Sequence, residues 1–321
     1  MNKTDKIYVA GHTGMVGSAI TRRLRAEGYD HLVLRTHDEL DLTDSAAVRA
    51  FFREEQPEYV FLAAAHVGGI KANADAPADF LYDNLMIEMN VIHEAWRSGC
   101  RRLEFLGSSC IYPRMAPQPI PEDALLTSPL EETNEGYALA KISGLKYCEY
   151  LRRQHGAGFF SVMPCNLYGP GDNYDPETSH VLPAMIRRFH EAKASGAGEV
   201  VCWGDGSPLR EFLYVDDLAE LCVMLMERED VCGVINGGSG EEISIRELAE
   251  LLASVVGYKG RIVWDPSRPG GTPRKVLELS RIRALGWTHR TPLKEGIRKA
   301  YEEYRRSGEA CRAAGGLSEG R

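Results

Sequence analysis

The order of hydrophobic and polar positions predicts alternating strands and helices in the first half of the chain. Short apolar runs with the length of buried strands occupy residues 7–10, 31–34, 59–65, 103–107 and 159–163. Between these runs, apolar positions recur at helical spacing over residues 15–27, 45–56, 77–98 and 137–153. Strands and helices that alternate in this way predict an α/β fold with a doubly wound parallel sheet, the Rossmann arrangement.

The pattern becomes looser after residue 166, where turns rich in glycine and proline separate shorter helices. Helical spacing predicts these helices over residues 180–195, 215–229, 244–256 and 292–304. Residues 112–134 hold five prolines and few periodic apolar positions, and therefore predict a loop.

This organisation predicts two structural units and a tail. We expect a Rossmann domain over residues 1–165 and a smaller α+β region over residues 166–310 that contributes ligand contacts. Some segments of the second region are expected to return to the Rossmann domain. Residues 311–321 are mostly small or polar, and we expect them to form a frayed tail.

Charge and composition argue against several classes of function. The 321 residues include 38 Lys and Arg against 46 Asp and Glu, so the formal net charge of −8 disfavours general binding to nucleic-acid phosphates. No apolar run approaches the roughly 20 residues of a membrane-spanning helix, and no signal-peptide core follows Met1. The cysteines are scattered without a Cys-x-x-Cys pair, which predicts neither a disulfide framework nor a zinc site. We expect a cytoplasmic protein with no metal, no nucleic-acid partner and no membrane partner.

A glycine-rich loop at residues 11–17 connects the first predicted strand to the first predicted helix. Its first glycine permits a tight turn, its second lets the backbone approach a pyrophosphate, and its third allows close packing of helix on strand. The helix N-terminus then favours the anion. This context predicts dinucleotide binding, with an ordinary strand–helix turn as the alternative. The loop residues expected at the cofactor are Gly11, Thr13, Gly14, Met15, Val16 and Gly17.

The residue that follows the second strand bears on which dinucleotide is bound. A carboxylate there favours the bare ribose of NAD, whereas a basic residue accommodates the 2′-phosphate of NADP. Arg35 comes first in this segment, ahead of Glu39 and Asp41. The order favours NADP, and a solvated surface arginine is the alternative.

Ser108, Tyr137 and Lys141 form a catalytic pattern in chain order. Tyr137 and Lys141 are four residues apart and share one face of a predicted helix. Ser108 follows the fourth predicted strand, at the sheet edge where ligands bind in such folds. A lysine ammonium near a phenol is expected to lower the tyrosine pKa from about 10, and the tyrosine can then donate a proton to a carbonyl under reduction.

The Gly-x-x-Gly-x-x-Gly spacing of the loop resembles the extended short-chain dehydrogenase/reductase family. Longer motifs, which run almost to residue 287, resemble one of its branches, the GDP-L-fucose synthase family. That family carries out epimerisation and reduction of GDP-4-keto-6-deoxy-D-mannose. The most specific element is the cysteine two residues after Ser108. The motifs are Gly-Ser-Ser-Cys-Ile-Tyr-Pro (107–113), Ala-Ala-Ala-His-Val-Gly-Gly-Ile (63–70), Asn-Leu-Tyr-Gly-Pro (166–170), Arg-Glu-Phe-Leu-Tyr-Val-Asp-Asp (210–217) and Gly-Thr-Pro-Arg-Lys (271–275).

The resemblance implies an enzyme that makes GDP-L-fucose with NADPH, bound by the domain of residues 1–165. A ketone at C4 of the sugar acidifies the protons on C3 and C5, and inversion of these centres needs a base on one face and an acid on the other. By similarity to the family, Cys110 is the base and His180 the acid. Tyr137, helped by Ser108, hydrogen-bonds the enolate oxygen and later protonates O4.

The resemblance also implies the residues that bind substrate and cofactor. Arginines bind a diphosphate through forked donors, and a tryptophan offers its face to a base or a sugar. The implied substrate residues are Arg188, Trp203, Arg210 and Glu278. Besides the loop and Arg35, the implied cofactor residues are Leu106, Gly107, Lys141, Pro164, Cys165, Asn166, Leu167 and His180. A homodimer is implied as well.

Cofactor preference and two other functions stay open at this point. Some members of the family carry arginine where this chain has Thr13 and His37, which leaves the preference for NADPH over NADH unsettled. One alternative function is a sugar-nucleotide epimerase that retains NAD and performs no net reduction. The other is a non-catalytic protein that senses NAD(P), against which Ser108, Tyr137 and Lys141 argue.

Overall fold

A parallel sheet of six strands forms the centre of the computed structural model, which describes residues 1–176, 178–267 and 272–315, with side chains as far as residue 306. The strand order is β2-β1-β3-β4-β5-β9, and every neighbouring pair is parallel. These strands are β1 (Ile7–Ala10), β2 (Leu32–Val33), β3 (Tyr59–Leu62), β4 (Arg102–Leu106), β5 (Gly158–Pro164) and β9 (Gly233–Gly237). The doubly wound parallel sheet predicted from the sequence is confirmed.

Helices cover both faces of this sheet, which explains why its strands are continuous apolar runs. In β1 and β3 every side chain is buried. Asp44 starts one helix by accepting hydrogen bonds from the backbone of Ala46 and Ala47. The helices of this layer are α1 (Met15–Ala26), α2 (Ser45–Glu55), α4 (Pro77–Arg97), α5 (Glu135–His155) and α7 (Val215–Met226), and the short α3 (Ile70–Asp75) precedes α4.

The second half of the chain builds a smaller region around its own hydrophobic cluster. One sheet contains β6 (Asn166–Tyr168), β8 (Leu209–Tyr214), β10 (Glu242–Ser244) and β12 (Arg274–Lys275), and a pair is formed by β7 (Glu199–Trp203) and β11 (Arg261–Asp265). Its helices are α6 (Val181–Ser195), α8 (Ile245–Val256) and α10 (Leu293–Gly315), whereas the short α9 (Ser280–Ala284) packs against β9 of the six-stranded sheet. Strand β9 and helix α7 return from this half to the six-stranded sheet and to α1.

The tail differs from the sequence-based expectation, whereas the proline-rich loop agrees with it. The predicted frayed tail begins at residue 311, but helix α10 continues to Gly315, because the arginine and two alanines in residues 311–315 favour a helix. Residues 316–321, and Gly271 of the motif at 271–275, lie outside the described residues. The proline-rich stretch of residues 112–134 is a loop as predicted, with short 3-10 turns at Glu122–Ala124 and Glu132–Asn134.

The sheet topology fixes where a ligand can bind. Strand order reverses between β1 and β3, and such a switch point opens a crevice at the carboxyl ends of the strands. The glycine-rich loop follows β1, and Ser108 lies two residues beyond the end of β4. Of the helices in the described part of the chain, none is both long and apolar enough to cross a membrane.

Candidate active site

The glycine-rich loop requires glycine at two of its positions, in one case for its backbone conformation and in the other for close packing. Gly11 has φ +82°, and a Cβ there would lie 2.8 Å from the backbone of Ala64. At Gly17 a Cβ would lie 2.1 Å from the carbonyl oxygen of Gly11. Gly14 precedes α1 without a side-chain cap, and no acidic residue occupies the first turn of that helix. The N–H groups and positive end of α1 therefore fit a phosphate, as the sequence predicts.

A further polar atom in the loop also fits a bound dinucleotide. His12 Nδ1 is buried and has no hydrogen-bond partner within the described part of the protein. A buried nitrogen of this kind costs free energy unless a ligand or solvent supplies its partner. The loop thus has both the shape and the donors for a dinucleotide.

Arg35 is fixed at the carboxyl end of β2 by neighbouring groups. Its Nη2 lies 2.5 Å from Glu55 Oε1, its Nη1 donates to the Leu34 carbonyl at 3.0 Å, and its guanidinium lies over the Phe51 ring. A guanidinium has five N–H donors, so further donors remain for an anion. Thr13 and His37 are both exposed.

The structure brings Ser108, Tyr137 and Lys141 together at the carboxyl end of β4. Ser108 Oγ accepts a hydrogen bond from the Cys110 backbone at 3.2 Å and also hydrogen-bonds Tyr137. Lys141, one helical turn beyond Tyr137, donates from Nζ to the Leu106 carbonyl at 3.1 Å. The serine, tyrosine and lysine predicted from spacing thus share one wall of the crevice.

A buried carboxylate forms an ion pair with Lys141. Glu88 on α4 is fully buried, and its Oε1 lies 3.1 Å from Nζ of the equally buried Lys141. Burial raises the pKa of Glu88, against the opposing effect of the Lys141 charge. Gly144 makes room for the pair, because a Cβ there would lie 2.6 Å from Glu88 Oε2 and 2.7 Å from the Phe105 ring.

The effect of Lys141 on Tyr137 corrects the expectation drawn from sequence. Instead of being lowered, the pKa of Tyr137 is raised well above its ordinary value, by burial first and then by negative charge at Cys110 and Glu88. The hydrogen bond with Ser108 acts in the opposite direction. With its pKa raised in this way, the phenol stays protonated near neutral pH, the state required of a proton donor.

Cys110 lies in the same cluster and has a cationic neighbour. Lys275 Nζ is 3.5 Å from Cys110 Sγ. Burial alone would raise the pKa of the thiol, but Lys275, with hydrogen bonds from Ser108 and Asn134, brings it below its ordinary value. A lowered pKa increases the thiolate fraction, and the thiolate is the basic form of cysteine.

His180 immediately precedes α6 and is reached by the same lysine. Its imidazole remains accessible to solvent although protein atoms surround it densely. That surrounding protein lowers the pKa of His180, and the Lys275 ammonium adds to the effect. The loop of His180 is tied to the segment after β3, because the Gly69 N–H donates to the Thr178 carbonyl at 2.8 Å.

Each of the four implied substrate residues has a defined surrounding in the structure. Arg188 donates to the Val201 carbonyl at 3.0 Å, two residues before the half-exposed Trp203. Arg210 lies near Cys110, whose charge offsets part of the lowering of the arginine pKa by burial. The carboxylate of Glu278 accepts hydrogen bonds from the backbone and hydroxyl of Ser280 at 2.8 Å, at the start of α9.

The remaining implied cofactor residues border the crevice at the ends of β4 and β5. The Gly107 N–H donates to the Val162 carbonyl at 2.9 Å, next to Leu106. Pro164 ends β5, and Leu167 lies in β6. Between them, Cys165 donates from its backbone to Gly237, and the Asn166 amide donates to the Glu211 carbonyl at 2.8 Å.

Three residues of the site carry no role in the sequence-based prediction: Lys275, Asn134 and Glu88. Lys275 ends a motif that carries the family resemblance, and its position there is the signal that could have indicated it. Glu88 is a carboxylate within an apolar stretch of α4, which is the usual sign of a buried, paired charge. For Asn134, the sequence offers no signal beyond its place in a loop.

Comparison with known proteins agrees with this geometry. The profile of the NAD dependent epimerase/dehydratase family matches residues 7–238 of the chain. The chain belongs to this family. Membership makes it an enzyme with a nicotinamide dinucleotide as cofactor and confirms the predicted Rossmann fold.

Individual members of the family are similar over nearly the whole chain. A protein of Arabidopsis thaliana named putative GDP-L-fucose synthase 2 is 59% identical over 304 residues, which cover 95% of this chain and 93% of that protein. GDP-L-fucose synthase of Escherichia coli (strain K12) is 53% identical, covering 93% and 96%. A solved GDP-mannoheptose C4 reductase from Campylobacter jejuni, with NADP bound, is 37% identical with a TM-score of 0.87, covering 95% and 99%. The resemblance to the GDP-L-fucose synthase family stated from the motifs is confirmed.

Proposed function

We propose that the protein converts GDP-4-keto-6-deoxy-D-mannose to GDP-L-fucose, by epimerising C3 and C5 and then reducing C4 with NADPH. The observation that carries the proposal is the single cluster of Ser108, Tyr137 and Cys110, with Lys275 beside the thiol. A plain reductase needs the serine and tyrosine only, whereas epimerisation needs an additional base. The names of relatives at 53–59% identity support the same substrate.

In the epimerisation, Cys110 removes the protons from C3 and from C5, one at a time. The ketone at C4 delocalises the resulting negative charge onto its oxygen. Tyr137 and Ser108 then donate hydrogen bonds to that oxygen, which is where preorganised donors lower the barrier. His180 returns a proton to the opposite face and is recharged from solvent.

In the reduction, Tyr137 donates its proton to O4. The raised pKa of its phenol keeps that proton in place at neutral pH. Lys141 is held one helical turn from Tyr137 by its ion pair with Glu88 and by its hydrogen bond to the Leu106 carbonyl. When bound, the nicotinamide supplies the hydride that reaches C4.

We also propose the domain roles and the oligomeric state. Residues 1–165 bind NADP and residues 166–310 hold most substrate contacts, with β9 and α7 returning to the first domain. Arg188, Trp203 and Arg210 bind the GDP moiety, and Glu278 binds substrate through the carboxylate lone pairs that Ser280 leaves free. The enzyme acts in the cytoplasm as a homodimer.

Exposed apolar side chains on two long helices support the homodimer. Helices α4 and α5 pack against each other, and Tyr82, Leu139 and Tyr150 on them are exposed. Apolar side chains of this size on adjacent surface helices are typical of contacts between subunits.

Product identification tests the function directly. We expect incubation with GDP-4-keto-6-deoxy-D-mannose and NADPH to give GDP-L-fucose by NMR, with one NADPH consumed per sugar. An epimerised sugar without loss of NADPH absorbance would favour the NAD-retaining epimerase. Cofactor binding without any proton exchange into the sugar would favour the non-catalytic protein.

We expect NADPH to be used more efficiently than NADH, and Arg35→Ala to remove most of this preference. Arg35 is anchored by Glu55 with donors to spare for a 2′-phosphate. Loss of a charged hydrogen bond corresponds to a rise in KM for NADPH of roughly ten- to hundredfold, with little change for NADH. Steady-state kinetics with both cofactors measure the two values.

Arg49→Ala is the matched control for this variant. Arg49 is an exposed arginine on α2 paired with Glu94, away from the end of β2, and its loss should leave both KM values unchanged. Equal efficiency with NADH and NADPH in the unmodified protein would remove the claim.

A further inference from the structure

Lys275 and Cys110 meet in the crevice although they are 165 positions apart in the chain. Lys275 Nζ lies 3.5 Å from Cys110 Sγ, and both side chains are half-buried. At this separation an opposite charge strongly favours the ionised form of its neighbour. The contact joins the second region of the chain to the wall formed by β4 and α5.

The backbone on both sides of Lys275 is held in place. The Gln118 side chain donates to the Arg274 carbonyl at 3.0 Å and accepts from the Val276 N–H at 3.0 Å. Two residues further, the Leu277 N–H donates to the buried carboxylate of Glu211 at 2.9 Å. Lys275 therefore extends from a strand whose backbone is fixed by hydrogen bonds. These bonds restrict where its ammonium can lie, in contrast to a flexible surface lysine.

The other charged and titratable groups that face Cys110 add positive charge or no charge beside its sulfur. Arg210 is the register partner of Lys275 across β8 and β12, and it also interacts with the Cys110 charge. Tyr137 is neutral near pH 7, and Ser108 and Asn134 contribute hydrogen bonds without charge. His180 is held towards its neutral form, first by the protein around it and then by Lys275. The charge beside the sulfur is thus positive.

We propose that Lys275 is a positioning residue that holds Cys110 in its thiolate form. The thiol proton passes to solvent, and the anionic sulfur is stabilised by the ammonium 3.5 Å away. The ionisation does not depend on the identity of the substrate, and only the use of the thiolate as the base for C3 and C5 rests on the proposed function. Arg210, the neighbouring cation, remains free to bind the diphosphate.

Alkylation of Cys110 by iodoacetamide measures this ionisation without any substrate, because only the thiolate reacts. The rate is followed against pH by mass spectrometry of the peptide that contains Cys110. We expect a midpoint below the ordinary thiol value of about 8.5 in the unmodified protein. In Lys275→Met the midpoint should rise by at least about one pH unit, so that alkylation near neutral pH slows by about tenfold. Lys275→Arg, which restores the charge, should restore most of the rate.

Lys146→Met is the control, because Lys146 is a surface lysine paired with Glu149 and should leave the midpoint unchanged. An equal midpoint in the unmodified protein and in folded Lys275→Met overturns the proposal. If Lys275→Met does not fold, a midpoint of about 8.5 or above in the unmodified protein overturns it equally. A lowered midpoint that depends on Lys275 supports the ionisation even if no GDP-L-fucose is formed, and a normal midpoint refutes it even if the product appears.

Discussion

Tyr137→Phe should lower the rate of ketone reduction at C4 by about 10²–10⁴-fold while leaving cofactor affinity intact. The substitution removes only the proton donor and its hydrogen bond with Ser108, because a phenyl ring fills the same space. The loss of NADPH absorbance on addition of keto-sugar measures the first effect. Fluorescence titration with NADPH measures the second.

Tyr147→Phe provides the comparison on the same helix. Tyr147 also lies on α5, but its hydroxyl contacts His93 at 2.6 Å rather than Ser108. We expect this variant to turn over normally. Near-normal NADPH oxidation by Tyr137→Phe would instead show that another group protonates O4.

Cys110→Ser should abolish proton exchange at C3 and C5, with a loss of at least about 10²-fold. A serine hydroxyl keeps the shape of the side chain but is far less acidic than a thiol, so Lys275 cannot ionise it near neutral pH. NMR of the sugar after incubation in D₂O measures the deuterium at each carbon. Ser108, Tyr137 and Lys141 remain, and they can still reduce the unepimerised ketone to a GDP-6-deoxy sugar of the wrong configuration.

His180→Gln and Cys232→Ser separate the roles in this experiment. His180→Gln removes the acid but not the base, so it should permit some proton removal and block productive inversion. Cys232 is another half-buried cysteine, in the loop before β9, and its replacement should leave exchange unchanged. Normal fucose formation by Cys110→Ser would leave Cys110 as an ordinary buried cysteine.

The sequence predicts the central sheet and the Ser108–Tyr137–Lys141 pattern well because both depend on local order. A strand covered on both faces must be apolar along its whole length, as β1 and β3 are. A spacing of four residues places Tyr137 and Lys141 on one helical face whatever the rest of the fold does. These features can be seen without any knowledge of contacts distant in the chain.

The charge environment of the site could not be predicted in this way. Strand β12 has two residues, too few for any periodic pattern, and its contact with Cys110 depends on how β8 and Gln118 place it. The direction of the Tyr137 pKa shift was wrong because spacing showed Lys141 but not the burial of the phenol or the charges at Cys110 and Glu88. Glu278 was placed by resemblance alone, and the local turn with Ser280 determines where its carboxylate lies.

The buried pair of Glu88 and Lys141, with Gly144 beside it, restricts how this enzyme can be altered over evolution or by design. Removing one partner of a buried ion pair costs about 3–5 kcal/mol, so neither charge can be exchanged alone without a large loss of folding stability. Any side chain at position 144 would collide with the Glu88 carboxylate. The residues at these three positions must therefore be retained together or substituted together. An engineer who grafts Tyr137 and Lys141 onto another Rossmann scaffold must transfer Glu88 and Gly144 with them.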